Sequence, residues 1–84
     1  MTDVRITVYG TNWCGDCRRV RSFMDSKNIP YTFINIDQDK EGEKFVIKIN
    51  RGMRSVPTIV FEDGSILVEP STRKLAEKLG VSAY

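Results

Sequence analysis

The sequence predicts an α/β domain in which four strands form a mixed sheet flanked by three helices, in the order β-α-β-α-β-β-α. Two observations predict this class. Short runs rich in β-branched and aromatic residues alternate with runs whose apolar residues recur every three or four positions. Near the C-terminus an Asp-Gly pair separates two apolar runs, which is typical of a hairpin. The chain has 84 residues, enough for one modest core, so we expect a single domain over residues 1–84.

The first half of the chain is predicted to form a β-α-β unit. Apolar and polar residues alternate from Val4 to Tyr9, as they do in a strand, and Gly10 is predicted to break that strand. From Arg18 to Lys27 the apolar residues fall on one face of a helix, and Pro30 ends that helix because proline disfavours a helical residue before it. The run from Tyr31 to Ile36 is the second strand. A right-handed crossover makes the two strands parallel.

A second helix is predicted after the second strand. Asp37 and Asp39 are its candidate N-caps, because a short carboxylate accepts hydrogen bonds from the first free N–H groups of a helix. Gly52 is its predicted C-terminal stop. Its apolar face holds Phe45, Val46 and Ile49.

The last third of the chain is predicted to form a β-hairpin followed by a helix. Pro57 to Phe61 is one strand, Glu62 to Ser65 is the turn, and Ile66 to Glu69 is the partner strand. Pro70-Ser71 opens the final helix, since proline suits the start of a helix and serine suits an N-cap. Leu75, Ala76 and Leu79 are predicted to face inward, and Gly80 is the predicted end of that helix.

Composition limits the classes of function that the chain can have. A net charge of +2 is too small to indicate a nucleic-acid-binding protein. The longest apolar run is far shorter than a membrane span, and no signal-peptide pattern precedes the first strand. Two cysteines are too few for a secreted disulfide scaffold, so we expect a cytoplasmic protein. The clustered arginines either form a solvated surface or attract an anionic thiol; they are Arg18, Arg19, Arg21, Arg51 and Arg54.

The two cysteines of the chain, Cys14 and Cys17, are spaced as C-x-x-C between the first strand and the first helix. Unpaired N–H groups at a helix N-terminus favour a thiolate, so Cys14 is the candidate nucleophile. Cys17 lies one helical turn later, close enough to attack a mixed disulfide on Cys14. A structural zinc site usually needs four cysteine or histidine ligands, whereas this chain has two cysteines and no histidine, so no metal site is expected.

Two motifs about forty residues apart carry a family resemblance: Trp13-Cys14-Gly15-Asp16-Cys17 and Ser55-Val56-Pro57-Thr58. With C-x-x-C at the first strand–helix junction and Val-Pro opening the third strand, the chain resembles the thioredoxin superfamily. Its length and details are similar to the glutaredoxin branch. The resemblance implies the thioredoxin fold and thiol–disulfide oxidoreductase activity, with Cys14 as nucleophile and Cys17 as resolving thiol.

Three neighbours of the cysteines are candidate contacts for a bound thiol. Trp13 is expected to lie partly exposed beside the sulfur and to offer a surface to a partner. Gly15 lets the chain turn into the helix and leaves the approach to Cys14 open. Asp16 stands where glutaredoxins often carry an uncharged residue, and it either stabilises the helix start or tunes the thiol.

The second motif is the other half of the expected thiol site. The resemblance implies that Pro57 is a cis-proline across from the reactive cysteine, and that the backbone of Val56 pairs with a bound thiol peptide. Ser55 stands where glutaredoxins commonly have threonine, and it keeps the hydroxyl. Arg54, directly before it, is a further candidate contact for an anionic thiol.

The segment before the last helix leaves the identity of the small thiol open. Many glutathione-using glutaredoxins carry a Gly-Gly pair there, whereas this chain has Leu67-Val68-Glu69-Pro70 followed by Ser71 and Thr72. Ser71 and Thr72 either hold a carboxylate at the helix N-terminus or simply cap the helix. A Pro-Ser turn is similar to mycoredoxins, which work with mycothiol. The electron donor is therefore glutathione or mycothiol.

Three functions are compatible with the sequence. The first is a dithiol oxidoreductase that reduces protein disulfides, or mixed disulfides with a low-molecular-weight thiol, without a tightly bound cofactor. The second is a NrdH-type redoxin recharged by thioredoxin reductase, although Glu69 to Thr72 lacks the Trp-Ser-Gly-Phe-like stretch typical of that family. The third is a carrier that holds an iron–sulfur cluster between two chains. The expected partners of the first are a small thiol and disulfide-containing protein clients, with no nucleic acid or membrane, and a monomer suffices.

Overall fold

The computed structural model describes residues 5–84, which form one mixed sheet with helices packed on both faces. The predicted α/β class is confirmed, with four strands and three helices in the predicted order. The helices within residues 5–84 include none that is long and apolar enough to cross a membrane. In chain order the elements are β1 (Thr7–Gly10), α1 (Gly15–Ser26), β2 (Thr32–Asn35), α2 (Lys40–Ile49), β3 (Thr58–Val60), β4 (Ile66–Val68) and α3 (Thr72–Leu79).

The central strands of the sheet are β1 and β3, because the strand order is β2-β1-β3-β4. β1 runs parallel to β2, as the crossover rule predicts, and antiparallel to β3. β3 and β4 form the predicted antiparallel hairpin. Tyr9 lies opposite Thr58, so the end of β1 adjoins the start of β3. This register brings the C-x-x-C turn, which follows β1, next to Pro57, which precedes β3.

Side chains alternate along β1 between the two faces of the sheet. Val8 is fully buried in a cluster that includes residues of α1 and α3. Tyr9 lies on the opposite face and stacks on Phe45 of α2, with ring centroids 4.8 Å apart. α1 and α3 therefore cover one face and α2 covers the other. The residues buried together on the first face are Val8, Val20, Met24, Ile59, Phe61 and Leu75.

The first strand and helix differ from the predictions at their ends. β1 begins at Thr7, whereas the prediction begins at Val4, which lies outside the described residues. Gly10, predicted to break the strand, belongs to it because it lies opposite Asn35 in the parallel ladder. α1 begins at Gly15, three residues earlier than its apolar pattern indicates, because the polar first turn carries no periodic signal.

The second helix begins after Asp39, whose side chain accepts the Gly42 N–H at 2.8 Å. Of the two candidate N-caps, Asp39 is therefore the one used, and Asp37 is not. The helix ends before Gly52, which lies in the following turn with a left-handed φ of +97°. The predicted stop therefore lies two residues beyond the C-cap Asn50, where the Gly52 N–H donates to the Ile47 carbonyl oxygen at 2.7 Å.

The third helix has the ends that the sequence predicts. The Ser71 side chain accepts the Lys74 N–H at 3.1 Å and so acts as the N-cap. Gly80 is the C-cap and adopts a left-handed φ of +71°. Leu75 and Ala76 are buried against the sheet, as predicted for the inward face.

Candidate active site

Cys14 lies in the turn after β1, directly before the first residue of α1. Its backbone is extended (φ −78°, ψ 121°), and its Sγ accepts the Cys17 N–H at 3.3 Å, so the sulfur acts as the N-cap. A sulfur in contact with a backbone N–H at a helix N-terminus is in a place where negative charge is stabilised. The side chain is partly exposed, which allows a substrate to approach it.

Cys17, one turn into α1, has the opposite environment. It is fully buried, and burial is the largest cause that raises the pKa of its thiol to about 12. A hydrogen bond with the Cys14 side chain raises this pKa further, whereas one with the Thr11 backbone lowers it. At neutral pH Cys17 is therefore a protonated thiol. Both cysteines are free thiols in the structure.

Gly10, the last residue of β1, leaves room for the Cys17 sulfur. A Cβ at position 10 would lie 2.6 Å from Cys17 Sγ and 3.2 Å from the ring of Phe33. No side chain can approach a sulfur atom so closely without displacing it. The sequence predicts Gly10 only as the end of a strand, whereas the structure shows that it permits close contact between a backbone and a buried thiol.

The segment before β3 forms the opposite side of the site. The Val56–Pro57 peptide bond is cis, as the family resemblance implies, and Pro57 is buried. The Val56 carbonyl oxygen lies 4.0 Å from Cys14 Sγ. The Thr58 hydroxyl donates to the Ser55 carbonyl oxygen at 2.8 Å and so holds the turn. The two motifs therefore meet, with a backbone carbonyl facing the candidate nucleophile.

Trp13 lies directly before Cys14 and is 66% exposed, so its ring forms part of the outer surface of the site. Its Nε1–H donates to one carboxylate oxygen of Asp37 at 2.7 Å. Arg54 Nη2 donates to the other carboxylate oxygen of Asp37 at 2.6 Å. Arg54 Nε also donates to Glu43 of α2 at 2.7 Å. These contacts link the cysteine turn to the segment that leads to Pro57.

Arg19 of α1 links the cysteine turn to the start of α3. Its Nε lies 3.6 Å from Asp16, an ion pair at i, i+3 spacing. Its terminal nitrogens donate to the Thr72 hydroxyl at 2.8 Å and to the Pro70 carbonyl at 2.7 Å. Asp16, for which the sequence is compatible with two roles, therefore has a cationic partner. Ser71 and Thr72 both have hydrogen-bond partners within the protein.

Gly15 is exposed, and a Cβ at this position would meet no atom within 4 Å. The packing of the chain therefore does not itself require glycine there. Among residues 5–84, no group of three or more cysteine, aspartate and glutamate side chains is arranged to hold a metal ion. The reactive groups at this site are two thiols, one partly exposed and one buried.

The sequence pattern does not identify Asp37 as a part of the site. Its contacts reach residues 24 and 17 positions away, and local patterns carry no information on such pairs. The available signal is that Asp39 lies two residues later and can cap α2 instead, which leaves the Asp37 carboxylate free for another partner. For Gly10 the sequence offers no signal beyond the missing side chain. The contact of Arg19 with α3 joins residues far apart in the chain, as the Asp37 contacts do, and no local pattern predicts it.

The fold places the chain among thioredoxin-like proteins. The crystal structure of a mutant thioredoxin-like protein superposes with a TM-score of 0.82 at 23% identity, covering 93% of this chain and 97% of that one. The glutaredoxin of Archaeoglobus fulgidus superposes with a TM-score of 0.73 at 26% identity, covering 90% of this chain and 86% of that one.

Sequence comparison narrows the class. The glutaredoxin family model matches residues 6–66. A protein of Mycobacterium tuberculosis that is named as a glutaredoxin is 37% identical over 79 residues, 94% of each chain. Mycoredoxin 1 of Corynebacterium glutamicum is 34% identical over 74 residues, 88% of this chain and 91% of that one. The glutaredoxin-like protein NrdH of Lactococcus lactis is 34% identical over 58 residues, 69% of this chain and 78% of that one. The chain belongs to the glutaredoxin family.

Proposed function

We propose that this protein is a dithiol thiol–disulfide oxidoreductase that reduces protein disulfides, and mixed disulfides between proteins and a small thiol. The contrast between its two sulfurs carries the proposal. Cys14 Sγ is partly exposed and accepts a backbone N–H at the start of α1, whereas Cys17 is buried and has a pKa of about 12. A nucleophile needs the first environment. A resolving thiol needs the second, because it must stay protonated until the mixed disulfide has formed.

The proposed reaction has two thiol–disulfide exchanges. The Cys14 thiolate attacks one sulfur of a client disulfide, the client S–S bond breaks, and the other client sulfur leaves as a thiolate. Cys17 then attacks Cys14 Sγ and gives up its proton, the mixed disulfide breaks, and the client leaves with both sulfurs reduced. The Cys14–Cys17 disulfide now holds the oxidised state. Two molecules of small thiol reduce it and leave as their own disulfide.

A client that carries a single sulfur capped by a small thiol needs only part of this reaction. Cys14 attacks the sulfur of the cap, and the client leaves as a thiol. A second molecule of the small thiol then attacks the sulfur of the cap, the bond to Cys14 breaks, Cys14 leaves as a thiolate, and the two small thiols leave as their disulfide. Cys17 takes no part in this route, which separates the two activities by mutation.

Clients are proposed to bind along the segment before β3. The Val56 backbone faces Cys14, which suits pairing with an extended peptide as an added strand. Trp13, two-thirds exposed beside Cys14, offers an aromatic contact surface. Gly15, Asp16 and Ser55 are the remaining proposed contacts at this cleft. We propose that the protein acts as a monomer in the cytoplasm, where small thiols maintain reducing conditions.

We propose mycothiol, rather than glutathione, as the small thiol. The mycoredoxin relative and the Pro70-Ser71 turn support this choice. The charges around the site also support it, because Arg19 is paired with Asp16 and Arg54 with two carboxylates. A thiol that is recognised through its own carboxylates, as glutathione is, would have to compete with these ion pairs.

The test compares Cys14→Ser and Cys17→Ser on two substrates, a protein with an internal disulfide and a peptide capped by mycothiol or by glutathione. Cys14→Ser is expected to abolish both activities. Cys17→Ser is expected to lose at least about 100-fold on the internal disulfide and to keep most of its activity on the capped peptide. Mycothiol is expected to outperform glutathione by about tenfold. A Cys14→Ser variant that retains activity, or a Cys17→Ser variant that keeps its activity on the internal disulfide, contradicts the dithiol scheme. A Cys17→Ser variant that loses both activities contradicts the separate route for capped clients.

A NrdH-type redoxin is the second candidate, and the similarity to the NrdH of Lactococcus lactis favours it. Such a protein would take electrons directly from thioredoxin reductase. NADPH consumption is measured with the oxidised protein and thioredoxin reductase, in the absence of any small thiol. Rapid consumption supports this second candidate, whereas consumption that requires added mycothiol or glutathione supports the first.

A further inference from the structure

We propose that Asp37 is a positioning residue of the site, whose carboxylate holds Trp13 and Arg54 and thereby sets the spacing between the two sides of the client-binding cleft. The inference rests on the proposed function, because it concerns the surface on which a client would bind. We call the contact set Trp13–Asp37–Arg54 the Asp37 bridge.

The Asp37 bridge joins the two chain segments that flank the nucleophile. Trp13 directly precedes Cys14, and Arg54 lies two residues before Val56, whose carbonyl faces Cys14 Sγ. Neither segment belongs to a helix or strand at these positions. Asp37 connects them from a third part of the chain, immediately after β2. Its bonds of 2.7 and 2.6 Å are short enough to define the positions of both partners.

The carboxylate of Asp37 is itself well placed to act as an anchor. Its backbone N–H donates to the Asn35 side chain at 3.0 Å, which fixes the turn that carries it. The hydrogen bond from Arg54, followed by that from Trp13, holds the pKa of Asp37 below its ordinary value. The group is therefore ionised at neutral pH, and each of its two oxygens accepts one donor.

A carboxylate is the group that this position needs, because both partners are donors. An asparagine offers one acceptor oxygen and one NH₂ group. The NH₂ group cannot accept a hydrogen bond, so either Trp13 or Arg54 would lose its bond to residue 37. The Trp13 ring is mostly exposed and gains little orientation from packing. Its hydrogen bond to Asp37 therefore determines where the ring lies relative to Cys14, and a ring that must be ordered when a client binds weakens client binding.

Kinetics with a disulfide-containing protein client test the proposal through Asp37→Asn. We expect KM to rise about tenfold while kcat changes by less than about twofold, since the two sulfurs keep their environment. Trp13→Phe keeps the ring but removes the N–H, and it should raise KM in the same direction. The Asp37→Asn/Trp13→Phe double variant should be less impaired than the product of the two single effects, because both remove one shared contact.

The matched control is Glu43→Gln. It removes a carboxylate from the other side of Arg54 but leaves the Asp37 bridge in place. Its KM is expected to stay within about twofold of wild type. An equal rise in KM for Glu43→Gln and Asp37→Asn would show that net charge near Arg54 matters rather than the bridge, and it would overturn the proposal.

Fluorescence provides a test that does not depend on turnover, because Trp13 is the only tryptophan of the chain. Time-resolved anisotropy should show a larger sub-nanosecond component in Asp37→Ala, which removes both acceptor oxygens, than in wild type, as expected for a ring released to rotate. Glu43→Gln should match wild type. Unchanged anisotropy in Asp37→Ala would overturn the inference whatever the kinetics. If the anisotropy changes as expected but the wild-type protein reduces no disulfide, the proposed function is rejected and the Asp37 bridge is not.

Discussion

At the scale of single residues, Gly10 determines how closely the Cys17 sulfur can approach β1. A Gly10→Ala variant places a Cβ within 2.6 Å of that sulfur, so the thiol or the strand has to move. Because such overpacking of a filled core typically costs about 1–3 kcal/mol, we expect the free energy of unfolding to fall by that amount. Urea denaturation of the reduced protein measures it.

Gly15→Ala is the control for the Gly10→Ala variant. The added methyl group at position 15 meets no atom within 4 Å, so the change in the free energy of unfolding should stay within about 0.5 kcal/mol. Equal stability losses in the two variants would mean that the close approach of Cys17 to Gly10 has no energetic consequence.

At this scale the place of a residue can be predicted when it depends only on the residues next to it in the sequence. The place of Cys14 at a helix N-terminus was predictable because the C-x-x-C motif directly precedes an amphipathic run. The roles of the two cysteines in catalysis stay predictions. Asp37 and Gly10 were not predictable as site residues, because their significance depends on partners that only the folded chain brings near.

At the scale of elements, the start of α3 is set by the Ser71 cap. The side chain of Ser71 accepts the Lys74 N–H, which otherwise has no partner within the first turn of the helix. We expect Ser71→Ala to lower the free energy of unfolding by about 1 kcal/mol, as measured by thermal or urea denaturation.

Ser71→Asp is the matched comparison, because aspartate is an equally good N-cap and should keep the stability within a few tenths of wild type, about 0.3 kcal/mol. A Ser71→Ala variant as stable as wild type would show that the contacts of Arg19 with Pro70 and Thr72 alone hold the start of α3.

Elements were predictable in type and order but less so in their limits. Periodicity identifies α1 and α2 because each buries one face, and the Asp-Gly turn identifies the β3–β4 hairpin. The ends depend on single hydrogen bonds. Asp37 and Asp39 are chemically the same, and only the geometry of the turn after β2 decides which of them caps α2.

At the scale of the whole molecule, the buried Cys17 thiol makes the free energy of unfolding fall as the pH rises above 9. Its pKa is about 12 in the folded protein, against 9.0 for an unperturbed thiol. Well below pH 9 neither state releases this proton, so the contribution is constant. Between pH 9 and 12 the unfolded chain loses the proton and the folded chain keeps it, so stability falls as the pH rises, by up to about 1.4 kcal/mol per pH unit.

Urea denaturation of the reduced protein between pH 7 and 10.5 measures this dependence, with Cys17→Ala as the control. The variant should lose less stability above pH 9 than wild type. The pKa of Tyr9 is also raised, chiefly by burial, but that group is present in both proteins and cancels in the comparison. Parallel curves for the two proteins would contradict a raised pKa at Cys17.

Topology was predictable because few arrangements satisfy the rules. A right-handed crossover makes β1 and β2 parallel, and a tight turn makes β3 and β4 antiparallel. The placement of β3 beside β1, which brings the two motifs together, came from the family resemblance. No local pattern predicts which strands become neighbours in the sheet when they are far apart in the chain.

The position of β1 between its two partners has a consequence for the order of folding. Thr7 pairs with Thr32 on one side and with Val60 on the other, so the β1–β2 pair closes the shorter loop. Loop closure costs more entropy as the loop lengthens, so we expect the β1-α1-β2 unit to form before β3 docks. That unit already carries both thiols but lacks the Val56 backbone. In a newly synthesised chain the reactive sulfur of Cys14 would thus be in place before the Val56 backbone. Clients could bind only after the C-terminal half has joined the sheet.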